Sequence, residues 1–339
     1  MRPLPTQGPS FTPLHDMLTA AIPARLLQAG LALGIFNVLG TFRTAGEVAA
    51  ELDADASNTR LVLDALTNVG LIEKSEGRYQ NSALANHYLS PDSKLYLEPL
   101  LAMIKRMSID PLEHLEERIR KGPLLPNARD ESGSPCLWVE SARASAPWAL
   151  GEMGTCIARI VSSLPGFSGF KKMLDLGGGH GLFTLYIVQA GETLEGVVFD
   201  RAPVIALASE FIASYDMGDS VTVMAGDYLT DDIGHGYDVV WASATLNNAK
   251  DNLPALFSKI YDALEPNGYF ISLHDGMTGE QTQPAMILEW LGGLLSSGRD
   301  LRFEQGEVAE AMLTCGFRSV RSRTLKTPLG QMDLDIAQK

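Results

Sequence analysis

The chain has 339 residues, 45% of them hydrophobic and 20% charged, with a formal net charge of −14. This length predicts two domains, and this composition a soluble globular protein rather than a disordered or fibrous one. The negative balance argues against nucleic acid and against an anionic membrane as partners. No apolar run of about 18 residues offers a membrane span, and the opening MRPLPTQGPS lacks the apolar core of a signal peptide. Cys136, Cys156 and Cys315 are few and scattered. They fit reduced thiols in a cytoplasm rather than a disulfide framework or a metal site.

Residues 1–13 are Pro-rich and read as disordered or as an arm. His15 to Leu39 reads as one helix, apolar on more than one face through Leu18, Ile22, Leu26, Leu27, Leu31, Leu33, Ile35 and Phe36. Such a helix must be buried, and a partner subunit is the expected cover. Thr44 to Leu52 and Ser57 to Val69 read as helix–turn–helix, with Ser57 as N-cap. Leu71 to Glu73 and Arg78 to Asn81 supply the two strands of a wing, joined through Glu76 and Gly77. A winged helix that binds DNA carries several basic residues on its recognition helix. Residues 57–69 offer only Arg60 and include Asp64, so DNA is not the expected partner. Helices around 93–120 and 138–164 follow, and Gly122 to Pro135, rich in Pro, Gly and Ser, is the expected linker. The expected division is 1–110 for the winged-helix-like domain, 111–150 for linker and connecting helices, and 151–339 for an α/β domain.

That last domain opens on Lys172-Met-Leu-Asp-Leu-Gly-Gly-Gly-His-Gly-Leu-Phe183. A buried strand, Met173 to Leu176, turns through Gly177, Gly178, Gly179 and Gly181. A helix then carries Leu182, Leu185, Tyr186 and Val188 at helical spacing. This is the first βα corner of a doubly wound sheet. Glycines let the backbone approach a ligand closely. The corner alone leaves open a dinucleotide pyrophosphate or another nucleoside-bearing cofactor. Three further strands decide between them. Glu195 to Phe199 ends at Asp200, Val221 to Met224 ends in Gly226-Asp227-Tyr228, and Tyr237 to Ala242 follows. Acidic ends on successive strands disfavour a diphosphate and suit a positively charged, phosphate-free nucleoside. S-adenosylmethionine fits that description, and a carboxylate at Asp200 has lone pairs for both ribose hydroxyls. The chain continues with a helix from Asn252 to Leu264, a turn at Glu265-Pro-Asn-Gly268 and a strand from Tyr269 to Leu273. Helices over 284–296, with Met286, Trp290 and Leu294 on one side, and from Glu304 to Cys315 come next. Strands near 318–324 and 331–337 close the chain.

DLGGGHG at 175–181, FDRAP at 199–203, AGDY at 225–228, YDVVWASATL at 237–246 and ALEPNGYFI at 263–271 stand in order. Together they resemble the plant-type and hydroxyindole-type S-adenosylmethionine-dependent O-methyltransferases, over nearly the whole chain. The resemblance implies an α/β, doubly wound Rossmann-like methyltransferase sheet with an antiparallel last strand. It implies a winged-helix dimerisation domain that builds a homodimer and closes part of the active site, and a small-molecule acceptor. It assigns Gly177 and Gly179 to the methionine portion of the cofactor, and Asp175 to supporting the corner or binding the amino group. Asp200, with Arg201 beside it, falls to the ribose; Gly226, Asp227 and Tyr228 fall to the adenine. Ser243 stands where the family often has Lys.

In that family the base is a His in a His-Asp-Trp segment after the fourth strand. The matching position here is Asn247, followed by Asn248 and Ala249, and the acid that would orient the base falls near Leu301. An amide does not accept a proton near neutral pH. Three readings stay open. The acceptor carries no proton to lose, as a thioether sulfur or an activated carbon does not. Alternatively a hydroxyl is methylated with another base, His274 or Asp275, or the protein binds the cofactor without catalysis. The first reading leads. Length, acidity and the missing base also resemble the methylthiohydroxybutyrate S-methyltransferases of bacterial dimethylsulfoniopropionate synthesis. A thioether acid such as 4-methylthio-2-hydroxybutyrate needs a cation for its carboxylate, for which Arg143, Arg299 and Lys250 are candidates. Trp148, Trp241, Met286 and Trp290 are candidates for the pocket wall as well as for core. His180, inside the glycine turn, is expected to edge the cofactor.

Overall fold

The computed structural model describes residues 8–123 and 135–339. Most of the expected linker, and the start of the expected arm, lie outside them. The chain divides into two compact units, Met1–Glu98 and Pro99–Lys339.

In the first unit the expected long helix is three helices: α1 (Thr12–Thr19), α2 (Ala21–Ala32) and α3 (Ile35–Val38). The break before α3 is at Gly34, whose φ of 71° is a left-handed conformation that glycine adopts without strain. Gly30 is small for a reason of packing, since a Cβ there would lie 2.9 Å from the Phe36 ring. β1 (Arg43–Thr44) leads into α4 (Ala45–Glu51), which starts with a capping box: Thr44 accepts from the Glu47 amide and the Glu47 carboxylate accepts from the Thr44 amide. α5 (Ala56–Asn68) is capped by Asp55, which accepts from the Asn58 amide at 2.8 Å. The cap is therefore two residues before Ser57, because a carboxylate at that position outcompetes a hydroxyl already inside the first turn. β2 (Ile72–Ser75) and β3 (Arg78–Asn81) form the wing, and β1 adds to it in the order β1-β3-β2. α6 (Ala83–Tyr88) follows. Asp64 on α5 takes Arg60 at 3.1 Å, Lys74 at 2.5 Å and the Tyr79 hydroxyl at 2.8 Å. The one basic residue of this helix is thus paired. Phe36, Leu39, Val48, Leu63, Leu66 and Ile72 form the core, while Phe11, Leu14, Met17, Leu18 and Ile22 stand exposed.

The second unit holds all but the first residue of α7 (Glu98–Ile104), then α8 (Leu115–Lys121), α9 (Pro135–Trp148) and α10 (Gly154–Ser162). Single π-helical turns over Lys105–Ile109 and Ala149–Met153 interrupt the expected continuous helices. The sheet has seven strands: β4 (Lys172–Leu176), β5 (Glu195–Asp200), β6 (Val221–Ala225), β7 (Tyr237–Ser243), β8 (Leu264–His274), β9 (Ser319–Thr327) and β10 (Gly330–Gln338). Their order is β6-β5-β4-β7-β8-β10-β9, with β4 to β8 parallel and β10 antiparallel to both its neighbours. Helices α11 (Leu182–Gln189), α12 (Ala202–Ser214), α13 (Leu253–Ala263), α14 (Ile287–Ser297) and α15 (Glu307–Thr314) complete the unit. One core layer holds Met173, Phe183, Trp241 and Ile271; the other holds Leu174, Phe257, Phe270 and Phe303. Covering both faces explains why the strands read as continuous apolar runs rather than alternating ones. From β4 the chain builds first toward β5 and β6, then returns to add β7 and β8. That reversal opens a crevice at the carboxyl ends of the strands, where α/β sheets bind ligands. No helix among the described residues is long and apolar enough to cross a membrane.

Candidate active site

The crevice is built from the glycine corner upward. Gly177 (φ 65°), Gly179 (φ 58°) and Gly181 (φ 72°) all take left-handed backbone. The amides of Gly177 and Gly178 both donate to Phe199 O, at 2.9 and 3.2 Å, which fastens the turn to β5. A Cβ on Gly177 would lie 2.3 Å from Thr245 Oγ1, and one on Gly178 would lie 2.7 Å from Asp175 Cγ. Asp175 is only 2% exposed and accepts from Thr184 Oγ1 at 2.7 Å. Burial lifts its pKa to about 7, with the Thr184 bond pulling down and the Asp200 charge adding to the rise. Asp175 therefore ties β4 to α11 from beneath the corner.

Asp200 accepts from the Gly179 amide at 2.9 Å and from the Arg201 amide at 2.7 Å. Burial raises its pKa against those two bonds. Each oxygen keeps a lone pair for a ligand hydroxyl. The Arg201 guanidinium donates to Asp227 Oδ2 at 3.1 Å, so it neutralises that acid. The Gly226 amide donates to Asp200 O at 3.0 Å, and Asp227 also accepts from the Leu229 amide at 3.0 Å. The Tyr228 hydroxyl donates to Thr245 O at 2.9 Å, tying the end of β6 to the loop after β7. Ser243 Oγ, at the carboxyl end of β7, is buried without a hydrogen-bond partner. His180 lies just before Gly181, the N-cap of α11, and its Nδ1 accepts from the Leu182 amide at 3.1 Å. Burial lowers its pKa to about 4. The residues suit S-adenosylmethionine: a cradle with no room for a Cβ, an acid with open lone pairs, an orphan hydroxyl, and a local charge that favours a sulfonium over a phosphate.

On the acceptor side, Asn247 lies in the 3₁₀ turn Leu246–Asn252 after β7 and is 8% exposed. Its Nδ2 donates to Asp275 Oδ1 at 2.7 Å and to Leu301 O at 2.9 Å. The other Asp275 oxygen accepts from the Phe303 amide at 2.7 Å. Asp275, Met277, Met286, Ile287, Trp290 and Arg302 line one small cavity. Met286 and Trp290 thus reach a cavity wall. Arg302 is the residue that the sequence reading missed. It is 8% exposed and donates from Nε and Nη2 to Asp300, at 2.8 and 2.6 Å. Its sequence context, two residues after an acid, is the same as a surface pair would have.

Six expected site residues lie outside that cavity. Arg143 is on the surface, paired with Glu210 at 2.8 Å, and Arg299 is on the surface, paired with Asp251 at 2.8 Å. Both are ordinary exposed ion pairs. Trp148 packs edge-on to Phe183 at 5.6 Å and belongs to the core, as does Trp241, which sits 5.5 Å from the same ring. Lys250 donates to Arg302 O and lies 3.5 Å from Glu307. His274 is 1% exposed on the α13–α15 side of the sheet, against Phe303 and 3.0 Å from Ser272 Oγ. Enclosed there, it has no path to an acceptor, and burial lowers its pKa to about 4. A base role for His274 does not survive this placement.

Fold and site together define an S-adenosylmethionine-dependent methyltransferase. The O-methyltransferase domain model matches residues 148–288 and the O-methyltransferase dimerisation domain model matches residues 16–91, so both units carry the two-part architecture of that family. An uncharacterized protein of Methanocaldococcus jannaschii is 30% identical over 73% of this chain, which spans 65% of that relative's length. The 3-hydroxy-5-methyl-1-naphthoate 3-O-methyltransferase of Streptomyces sahachiroi is 28% identical over 76% of this chain and 75% of its own. Human N-acetylserotonin methyltransferase, solved in complex with S-adenosylmethionine, shares the fold with a TM-score of 0.78 at 20% identity, over 98% of this chain and 99% of that one.

The dimerisation match supports a homodimer, and the exposed apolar row on α1 and α2 is a surface that a monomer rarely leaves in water. Light scattering is expected to give twice the chain mass at micromolar concentration, and a stable active monomer would refute it.

Proposed function

We propose that this chain transfers a methyl group from S-adenosylmethionine to a hydroxyl of a small aromatic or secondary metabolite, working as a cytoplasmic homodimer. In this reading residues 1–110 serve dimerisation, 111–150 connect, and 151–339 carry catalysis. The observation that carries it is the small cavity where Met286 and Trp290 meet Asp275, whose carboxylate Asn247 holds by a hydrogen bond. Its lining combines apolar side chains, which pack against a ring once the small cavity opens, with one carboxylate, which accepts from a hydroxyl. The O-methyltransferase domain match and the naphthoate-methylating relative support the same reading.

When bound, the cofactor supplies a methyl carbon activated by a sulfonium. The chain's own residues supply position and environment. Asp200 would hold the ribose and the Gly177–Gly179 backbone would flank the methionine portion. Asp227 and Tyr228 would meet the adenine. Ile287, Met286 and Trp290 would exclude water and hold the acceptor ring. Placing the acceptor oxygen about 3–3.5 Å from the methyl carbon contributes several kcal/mol through orientation alone. Asp200→Ala is expected to weaken S-adenosylmethionine binding by about 1.5–3 kcal/mol, the range for hydrogen bonds to a charged group. Unchanged affinity by calorimetry would remove the ribose assignment.

A second reading, S-methylation of a thioether acid such as 4-methylthio-2-hydroxybutyrate, is favoured by one observation: an amide, Asn247, occupies the base position. A thioether has no proton to lose. Against it, the cavity's one arginine is already doubly bonded to Asp300, which leaves little charge for a substrate carboxylate. Mass spectrometry of products from a panel of hydroxyaromatics, thioether acids and thiols separates the two. A methyl ether is expected; a sulfonium product from the thioether alone would install the second reading.

A further inference from the structure

We propose that Asp275 is the general base for the acceptor hydroxyl, with Asn247 as the residue that positions it; the assignment rests on the hydroxyl-acceptor reading above. Of the residues lining the acceptor cavity, Asp275 and Arg302 alone carry ionisable groups. Arg302 is a permanent cation. Asp275 is the one group there that can take a proton. Other candidates close themselves off: His274 faces the opposite layer, His180 Nδ1 already accepts from the Leu182 amide, and the Tyr228 hydroxyl is spent on Thr245.

The carboxylate is also aimed and held. Asn247 Nδ2 fixes Oδ1 at 2.7 Å and the Phe303 amide fixes Oδ2 at 2.7 Å. Each bond uses one lone pair, so each oxygen retains another for the acceptor. Asn247 does more here than a histidine would. Its two N–H groups bridge Asp275 and Leu301 O at once, where a neutral imidazole has a single donor. The chain also links this pair to the cofactor corner. Thr245 packs against Gly177, Asn247 follows two residues later, and the Ala244 amide donates to Leu273 O at 2.8 Å, joining the end of β7 to the end of β8. Proton acceptance has thus moved from the position of Asn247 to its hydrogen-bond partner on the next strand.

The charged neighbours set the working range. Burial raises the Asp275 pKa, while the Asn247 and Phe303 bonds and the Lys250 charge pull it down. Arg302 is offset by Asp300, and Asp333 lies beside Gly276, where a Cβ would sit 2.0 Å from its Oδ2. His274, one residue back, is neutral near physiological pH. A carboxylate with a raised pKa is a stronger base once ionised. In the reaction the acceptor oxygen donates a pair to the methyl carbon and forms the O–C bond. The C–S bond breaks with its pair kept by sulfur, which becomes a neutral thioether, and the hydroxyl proton passes to Asp275. Water takes that proton after product leaves.

The test uses the homodimer and the hydroxyaromatic that the product panel identifies; if no hydroxyl compound is methylated, the underlying reading falls rather than this assignment. Single-turnover rates at saturating cofactor should rise with pH along a one-proton limb in the wild type. Asp275→Asn should lose the limb and about 10²–10⁴-fold in rate. Formate should restore part of the rate to Asp275→Ala. Asn247→Ala should keep the limb, shift it upward and cost about tenfold. Independently of turnover, the carboxyl ¹³C signal lost in Asp275→Asn should titrate above the ordinary aspartate range in the unliganded homodimer, and higher still in Asn247→Ala. S-adenosylhomocysteine affinity by calorimetry reports whether Asp275→Asn keeps its fold; if it does not, the carboxyl titration and the Asn247→Ala limb decide. A limb that persists in Asp275→Asn, or a rate within tenfold of wild type, overturns the proposal. So does an Asn247→Ala limb that stays in place.

Discussion

Gly177→Ala is expected to weaken S-adenosylhomocysteine binding by at least about a hundredfold, close to 3 kcal/mol. Two costs combine. With φ at 65°, any side chain at this position pays the left-handed penalty of about 1–2 kcal/mol. The new Cβ would also lie 2.3 Å from Thr245 Oγ1 and 2.9 Å from Thr245 Cβ. Thr245 is buried, and its carbonyl and hydroxyl are both within hydrogen-bond reach of Tyr228, so it cannot retreat cheaply. The turn must move instead. That movement pulls the Gly177 and Gly178 amides off Phe199 O and carries the Gly179 amide away from Asp200. Gly179→Ala is the control. Its φ of 58° carries the same backbone penalty, but its Cβ would meet Ala142 at 3.6 Å, an ordinary contact. It should cost only the strain, about tenfold. Adding Thr245→Ala to Gly177→Ala should recover part of the loss. Calorimetric titration of the four proteins checks the ladder, and equal losses at Gly177 and Gly179 would show that the contact with Thr245 is not what matters.

The corner was legible in the sequence because its logic is local. Strand, glycines and helix are contiguous, and the acids at 200 and 227 end strands that are themselves apolar runs. The doubly wound character of the sheet followed from the same pattern, while its strand order came only with the structure. What stayed hidden depends on contacts between distant residues. Trp148 and Trp290 are the same residue type on helices of similar character, yet one sits in core and the other on a cavity wall. Arg143 and Arg299 looked free only because Glu210 and Asp251 are far away in sequence. Asn247 looked like a vacated base position until Asp275, 28 residues on, was seen bonded to it. His274 was ambiguous for another reason. In a sheet buried on both faces, the alternation along a strand does not say which face meets the ligand. Even local features slipped: Ser57 read as the cap where Asp55 caps the helix, and Gly34 ended a helix whose apolar pattern ran straight on.

Acid should cost the wild-type protein more stability than it costs His274→Gln, with the difference between them changing by about 3 kcal/mol from pH 7 to pH 4. Burial holds the folded-state pKa of His274 at about 4, against an ordinary 6.5. Between those values the unfolded chain binds a proton that the folded one does not, so stability rises with pH across the window and is lost as pH falls through it. At about 1.4 kcal/mol per pH unit, the gap from 6.5 to about 4 gives about 3 kcal/mol. His180 adds a like contribution, since burial also brings it to about 4. Asp175 opposes both: its folded pKa near 7 means that folding takes up a proton between 3.8 and 7, so its contribution falls as pH rises. These parts overlap in the wild-type curve, and only comparison with the variant isolates His274. Urea unfolding at pH 7, 5.5 and 4, at fixed protein concentration because the homodimer's stability depends on it, makes that comparison. At pH 7 the variant should be the weaker of the two, through lost packing on Phe303. By pH 4 it should have closed or reversed the gap. The sign tests the environment directly. His274 Nε2 and Asp335 Oδ2 are both buried without partners, 3.5 Å apart. Were they an ion pair, the histidine would stay charged in the fold and its stabilisation would fade as pH rises above neutrality. Parallel curves, or a gap that widens toward acid, would therefore mean that the charges of Asp333 and Asp335 outweigh desolvation at this site.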